Sequence, residues 1–243
     1  MAVQFKVNGN LPAQGASAKQ RVTGLVPKRE SQEPIASDTT KSVPANGSAT
    51  STRSTEKYQR ILDAAMAVIA EKGFFTARIS DIAKRADVAD GTVYLYFKSK
   101  EEILMKAINA AFDGFMRHAR TELGKIASPE QQLRRLAYLH LEAMGSNRNA
   151  AIVFQMELRQ STRFLEEFSH EHMVEYFALV REAIRRGQQE GSFRAELSDK
   201  VAANCFFGSI DEMVTSWVLS GEDYPLAHAA DHICDVILKG LEK

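Results

Sequence analysis

The chain has 243 residues, 44% apolar and 26% charged, with 31 Lys and Arg balancing 31 Asp and Glu. That length supports one large or two modest domains with a substantial core, and zero net charge means that no whole-chain excess advertises a nucleic-acid partner. No apolar run approaches membrane-spanning length and no signal-like apolar segment opens the chain, so a soluble cytoplasmic protein is expected. Cys205 and Cys234 both fall in apolar helical patterns, which suits buried free thiols in a reducing compartment better than a disulfide framework.

Residues 1–53 hold four of the six prolines, Pro12, Pro27, Pro34 and Pro44, among Ala, Ser, Thr and Gly. Such a segment buries too little to offset its ordering entropy, and a disordered tail is expected. It carries seven Lys and Arg against three Asp and Glu. The alternative is therefore a basic arm touching DNA phosphates through Lys19, Arg21, Lys28 and Arg29.

From Thr55 onward the pattern turns helical. Tyr58, Ile61, Leu62, Ala65, Val68 and Ile69 recur at helical spacing, and Gly73 follows as a stop signal. Pro129 and Pro225 stand where helices would begin. No stretch alternates at period two for long enough to make a strand. The spacing predicts helices at about 55–72, 79–86, 90–96, 99–126, 129–145, 148–160, 163–190, 199–220 and 225–242. The expected fold is all-α: a helix-turn-helix domain over 54–101, then a helical effector-binding and dimerisation domain over 102–243.

The segment 73–104 carries the functional signal. Ile79, Ile82 and Ala83 form the inner face of one short helix, Ala86–Ala89 makes a tight connection, and a second short helix opens at Asp90, whose carboxylate suits an N-cap. In a helix-turn-helix the second helix enters the major groove. Gly91 would let the helix end approach the backbone, and its free amides suit a phosphate. Thr92, Tyr94 and Tyr96 offer hydroxyls, whereas Val93 and Phe97 turn inward; Lys98 and Lys100 can neutralise phosphates. Few of these groups make bidentate base contacts, so specificity leans on DNA shape and on Arg78.

The order Gly73-Phe74, Asp81-Ile82-Ala83, Val88, Gly91-Thr92-Val93-Tyr94, Tyr96-Phe97-Lys98, Lys100-Glu101 resembles the DNA-binding domain of the TetR family of bacterial repressors. The resemblance implies DNA contacts at Arg78, Gly91, Thr92, Tyr94, Tyr96 and Lys100, with Asp90 and Lys98 adjacent. Two positions depart from the family pattern. Asp87 occupies the turn position usually held by Gly, and Asp tolerates left-handed backbone. Ala77 stands where a capping Thr is common, leaving Thr76 or solvent to serve the freed amides.

Further along, Ala150–Val153, Glu157–Ser161 and Phe207–Val218 resemble the acyl-CoA-responsive repressors of fatty-acid degradation within that family. This resemblance implies a long-chain acyl-CoA effector, no cofactor and control of β-oxidation genes. The expected effector-binding residues are Phe112, Met116, Met144, Phe154, Leu158, Arg159, Phe177, Phe206, Ile210, Met213 and Trp217. They are mostly flexible or aromatic apolar groups suited to an alkyl chain. Arg148, Arg159, Arg163, Arg185 and Arg186 are candidate partners for the CoA phosphates. An alternative is a TetR-type regulator of an efflux pump that senses drugs, which a buried acid such as Asp211 or Glu212 would favour.

Apolar stripes on 199–220 (Phe206, Ile210, Met213, Val214, Trp217) and 225–242 (Ile233, Ile237, Leu238, Leu241) predict a homodimer through these two helices. A two-fold dimer would present its reading helices to successive major grooves of double-stranded operator DNA. Effector binding is expected to tilt helix 99–126 and change the separation of the reading heads. His228/His232 and His170/His172 lack a metal-ligand signature, and no nucleophile motif is visible, so neither a metal site nor an enzyme is expected. A helical interaction protein that does not read DNA is the remaining rival.

Overall fold

The structure, a computed structural model, describes residues 47–168 and 172–241. Among the described residues ten α-helices follow one another: α1 (Gly47–Lys72), α2 (Ile79–Arg85), α3 (Asp90–Tyr96), α4 (Lys100–Leu123), α5 (Pro129–Ser146), α6 (Arg148–Ile152), α7 (Thr162–Phe168), α8 (Val174–Glu190), α9 (Asp199–Ser220) and α10 (Ala229–Leu241). There is no strand among the described residues. The disordered tail expected at 1–53 lies outside them up to residue 46, and 47–53 form the first turns of α1.

Side chains set the helix ends. Ser99 accepts from the Glu102 amide to begin α4, and Ser128 with Pro129 at the first helical position begins α5. Asn147 opens α6 and Ser198 opens α9 in the same way. Gly73 ends α1 at φ 76, a left-handed backbone that any Cβ would strain.

Two expected helices are interrupted. The helix expected at 148–160 is α6, then a π-helical turn at Val153–Glu157 and a 3-10 turn at Leu158–Gln160. The one expected at 163–190 is described as α7 and α8, with residues 169–171 between them outside the described set. Periodicity of apolar residues does not distinguish a π turn from an α turn over five residues, because the same face remains buried.

The core is continuous. Ile61, Leu62, Ala65 and Ile69 of α1 meet Ile82, Ala83, Val93 and Phe97, and α1 also lies along α4. In the rest of the chain α5 packs against α8, α9 and α10. The stripes assigned to dimerisation are largely consumed here. Phe206, Ile210, Val214, Trp217, Leu238 and Leu241 are buried within the single chain, while Met213, Ile233 and Ile237 are half-buried. The exposed apolar groups on these helices are instead Val201, Leu219 and Val236. Cys234 is buried as expected; Cys205 is exposed, because it lies on the outer face of α9. Burial pushes the Cys234 thiol up to about 11, so it stays protonated at neutral pH.

Candidate nucleic-acid interface and aromatic seam

The expected reading helix, α3, lies between two anchored turns. On its inner face Val93 is fully buried and Phe97 nearly so, the latter stacked on Tyr58 with ring centroids 4.9 Å apart. Its outer face is open: Asp90 and Gly91 are exposed, a Cβ added at Gly91 would meet nothing within 4 Å, and Tyr94 is 58% exposed. Leu95, which sequence reasoning passed over, is 83% exposed. Its signal was an apolar residue beside Tyr94, off the Val93–Phe97 face, where a thymine methyl would be its natural partner.

Local geometry refines several expectations. Ala89, not Asp90, occupies the N-cap of α3, and Asp90 is the first helical residue, where its charge still faces the positive helix end. Asp87 takes the left-handed backbone expected of it, at φ 52. The cap of α2 comes partly from Asp81, whose carboxylate accepts from the Arg78 amide at 3.2 Å. The Lys72 ammonium 2.9 Å away, together with that amide, holds the Asp81 carboxyl below its ordinary value.

The remaining candidates divide by geometry. Arg78 and Lys98 are exposed and Thr92 is half-buried at the helix edge. Tyr96 turns back towards α1, its hydroxyl 3.1 Å from Ser54 Oγ and its ring edge-on to Tyr58. The Lys100 ammonium is held by the α1–α2 turn: it donates to the carbonyl oxygens of Phe74 and, at 2.8 Å, of Ala77, and sits 4.5 Å above the Phe74 ring. These are positions that a phosphate contact at Tyr96 or Lys100 must compete with, and spacing alone does not reveal them.

The second region is a seam of aromatic rings inside the C-terminal helices. Phe154 meets Phe168, Phe168 meets Phe112 and Phe112 meets Phe115, with centroids 5.6, 5.3 and 6.1 Å apart. The seam continues from Phe115 to His140 and Tyr176, and on to Phe207 and Phe177. His140 Nδ1 lies 3.2 Å from the Tyr176 hydroxyl. Burial pushes the imidazole down to about 4 and raises the phenol, so at neutral pH both are uncharged. Beside the seam, Gln155 Nε2 donates to Asp211 Oδ1 at 2.9 Å, and Arg159 donates to both Asp211 oxygens at 2.7 and 2.8 Å.

Of the effector-binding residues expected from sequence, the seam brings together Phe112, Phe154 and Phe177. Met116, Leu158, Phe206 and Ile210 are buried in the continuous core, with Met144 and Met213 half-buried against it. Trp217 is set apart, under the Arg148 guanidinium at 4.3 Å. Arg148 also donates to the carbonyls of Trp217, Val218 and Glu222 and so finishes α9. Arg185 is likewise committed, to Asp199. Sequence reasoning missed His140, Tyr176, Phe168, Phe207 and Gln155. For His140 and Gln155 the signal was a polar residue on an apolar helical face, between Leu136 and Leu141 and between Ala151 and Leu158.

A cleft of about 290 Å³ opens between the end of α4, the start of α5 and α8. Leu123, Leu133, Leu136 and Leu179 form its floor, and Arg120 and Arg186 stand at it. On α5 and α8 it lies one turn beyond the seam. Leu136 precedes His140 by four residues and Leu179 follows Tyr176 by three, spacings that keep a helical face.

Residues 61–107 match the family of bacterial regulatory proteins called the tetR family, and residues 108–240 match the C-terminal region of YsiA-like proteins. The fatty acid metabolism regulator protein of Bacillus subtilis is 35% identical over 185 residues, covering 76% of this chain and 95% of that protein. Among solved structures, the transcriptional regulator FadR from Bacillus subtilis in complex with stearoyl-CoA is 34% identical, with a TM-score of 0.71 over 76% of this chain and all of that one. The fatty acid degradation regulator FadR from Bacillus halodurans is 36% identical, with a TM-score of 0.70 over the same share of this chain. The paired short helices, the outward face of α3 and these matches give one conclusion: the chain belongs to the TetR family of DNA-binding transcriptional repressors, regulators rather than enzymes.

Proposed function

We propose that this repressor binds a pseudo-palindromic operator as a homodimer, through Arg78, Gly91, Thr92, Tyr94 and Lys98, and is released by a long-chain acyl-CoA, so that fatty-acid degradation genes are its targets. The observation that carries the effector reading is the alignment of the cleft with the aromatic seam. A leucine-lined cleft with two arginines at it, one helical turn from an apolar seam, suits a ligand with a long alkyl tail and an anionic head. Arg120 and Arg186 are the head-group candidates, and both are already paired within the protein: Arg120 with Glu175, Arg186 with the Ala127 carbonyl at 2.6 Å. A phosphate would exchange those partners for stronger ones. The homologue solved with stearoyl-CoA supports the same ligand class.

The efflux reading is weaker, because Asp211 is neutralised by Arg159 and Glu212 is exposed, so neither offers a lipophilic cation an unpaired buried charge. The homodimer is proposed through the outer faces of α9 and α10, where Val201, Leu219 and Val236 are exposed.

The test is to recover duplexes from a random pool with the purified full chain, then titrate each complex with palmitoyl-CoA, free CoA or a lipophilic cation. Release by palmitoyl-CoA alone is the expected result. Release by the cation alone would move the assignment to the efflux class.

A further inference from the structure

The two regions meet through the irregular segment between α6 and α7. Its π turn, Val153–Glu157, and the 3-10 turn after it are gripped on three sides. Towards α9, Gln155 and Arg159 hold Asp211, and Thr215 donates to Gln155 Oε1 at 3.1 Å. Towards the seam, the Phe154 ring meets Phe168. Towards the DNA-reading domain, Glu157 Oε2 accepts from the Phe74 amide at 2.7 Å, across 83 residues of sequence. Glu157 Oε1 accepts from Gln160 at 3.3 Å, and Phe164 packs edge-on to the Phe74 ring at 5.1 Å.

Phe74 belongs to the turn that leads from α1 into α2. That turn is clasped from one side by Glu157 and from the other by Lys100. A Cβ at Gly73 would lie 3.7 Å from Glu157 Oε1, so the carboxylate sits against the backbone itself.

We propose that Glu157 is a positioning residue for the DNA-reading head. Its carboxylate fixes the α1–α2 turn, and it passes to α2 and α3 any change in segment 153–160 that follows filling of the seam at Phe154. The inference rests on the seam's being the effector site, but not on which effector fills it. A π turn differs from an α turn by one residue of register, and each residue of register rotates side chains by about 100°. Resolving the π turn would therefore swing Glu157 off the Phe74 amide. This route reaches the α1–α2 turn from segment 153–160, whereas a tilt of α4 reaches the same turn through Lys100.

The test uses full-length Glu157→Ala and Glu157→Gln, the second keeping an oxygen that can accept from the amide. Operator affinity is measured with and without palmitoyl-CoA, palmitoyl-CoA binding is followed by isothermal titration calorimetry, and exchange is followed at the Phe74 amide. Glu157→Ala should bind operator about tenfold more weakly without ligand, since a charged hydrogen bond is lost. Its release by palmitoyl-CoA should shrink at unchanged palmitoyl-CoA affinity, and Phe74 exchange should accelerate. Glu157→Gln should stay within about threefold of the unaltered chain.

Unchanged operator affinity and unchanged release in Glu157→Ala would overturn the proposal. So would weakened operator binding with full release and faster exchange throughout α1–α4, which would mark a purely structural role. If palmitoyl-CoA releases no form of the protein, the acyl-CoA reading fails. The clasp is then judged on ligand-free operator affinity and Phe74 exchange alone.

Discussion

Arg60 of α1 donates to the backbone carbonyl of Asp87, 2.9 Å away, at the one non-glycine position among the described residues whose φ is positive. The same guanidinium reaches the carbonyl of Ala86, so a single side chain closes the turn between α2 and α3. Arg60→Ala should cost about 1 kcal/mol of stability and loosen the reading helix. Asp87→Gly should be neutral or stabilising, whereas Asp87→Val should cost about 1–2 kcal/mol, because a β-branched side chain opposes left-handed backbone. Urea unfolding of the three variants checks the order.

Gly91 separates folding from DNA binding. A Cβ there meets nothing within the protein, and Ala is the better helix former by up to about 1 kcal/mol. Gly91→Ala should melt at the same temperature or higher yet bind operator more weakly, because the added methyl stands between helix and phosphate. Tyr94→Ala should leave the melting temperature unchanged and weaken operator binding by about 1–2 kcal/mol. Thermal melts paired with fluorescence anisotropy read both quantities.

His140 makes stability depend on pH. Its folded pKa is lowered to about 4 from an ordinary 6.5, so between those values the unfolded chain binds a proton that the native chain refuses. Stability is therefore complete above about 6.5 and is lost as pH falls towards 4. Between pH 7 and pH 5 the loss attributable to His140 should be about 2 kcal/mol. Asp199, held at about 2 by Arg181 and Arg185, and Glu122, held at about 2 by Lys125 and Arg135, titrate below that window. His140→Gln should flatten the slope between pH 7 and 5 in urea titrations.

Gly187 faces a different constraint. A Cβ there would stand 2.2 Å from the Phe193 ring, which is itself buried. Gly187→Ala should cost about 1–3 kcal/mol through overpacking, and Gly187→Ala with Phe193→Leu should recover part of it. Chemical unfolding of both variants measures the recovery.

How much of this was legible in the sequence differs by region. The bounds of α2 and α3 followed from Ile79, Ile82, Ala83 and Val93, because short amphipathic helices around a fixed turn leave little freedom in where apolar residues fall. The commitments of Lys100, Tyr96 and Arg148 were not legible, since each finds its partners across 23 to 74 residues of chain. Most of the stripe expected at a dimer seam lies in the chain's own core, for a similar reason. Periodicity shows that a face of α9 is apolar, not whether its own chain or a second copy covers it. Seam residues such as Phe112 and Phe154 were recognisable as apolar, but their alignment with His140 and Tyr176 depends on how four helices are packed.

The most direct measurement is a hydroxyl-radical footprint on a duplex selected by the protein, taken with and without palmitoyl-CoA. Two protected patches one helical turn apart should appear, and should vanish when palmitoyl-CoA, but not free CoA, is added at concentrations that calorimetry shows to saturate the protein. Protection that persists with palmitoyl-CoA bound, or no sequence-specific protection at all, would contradict the account.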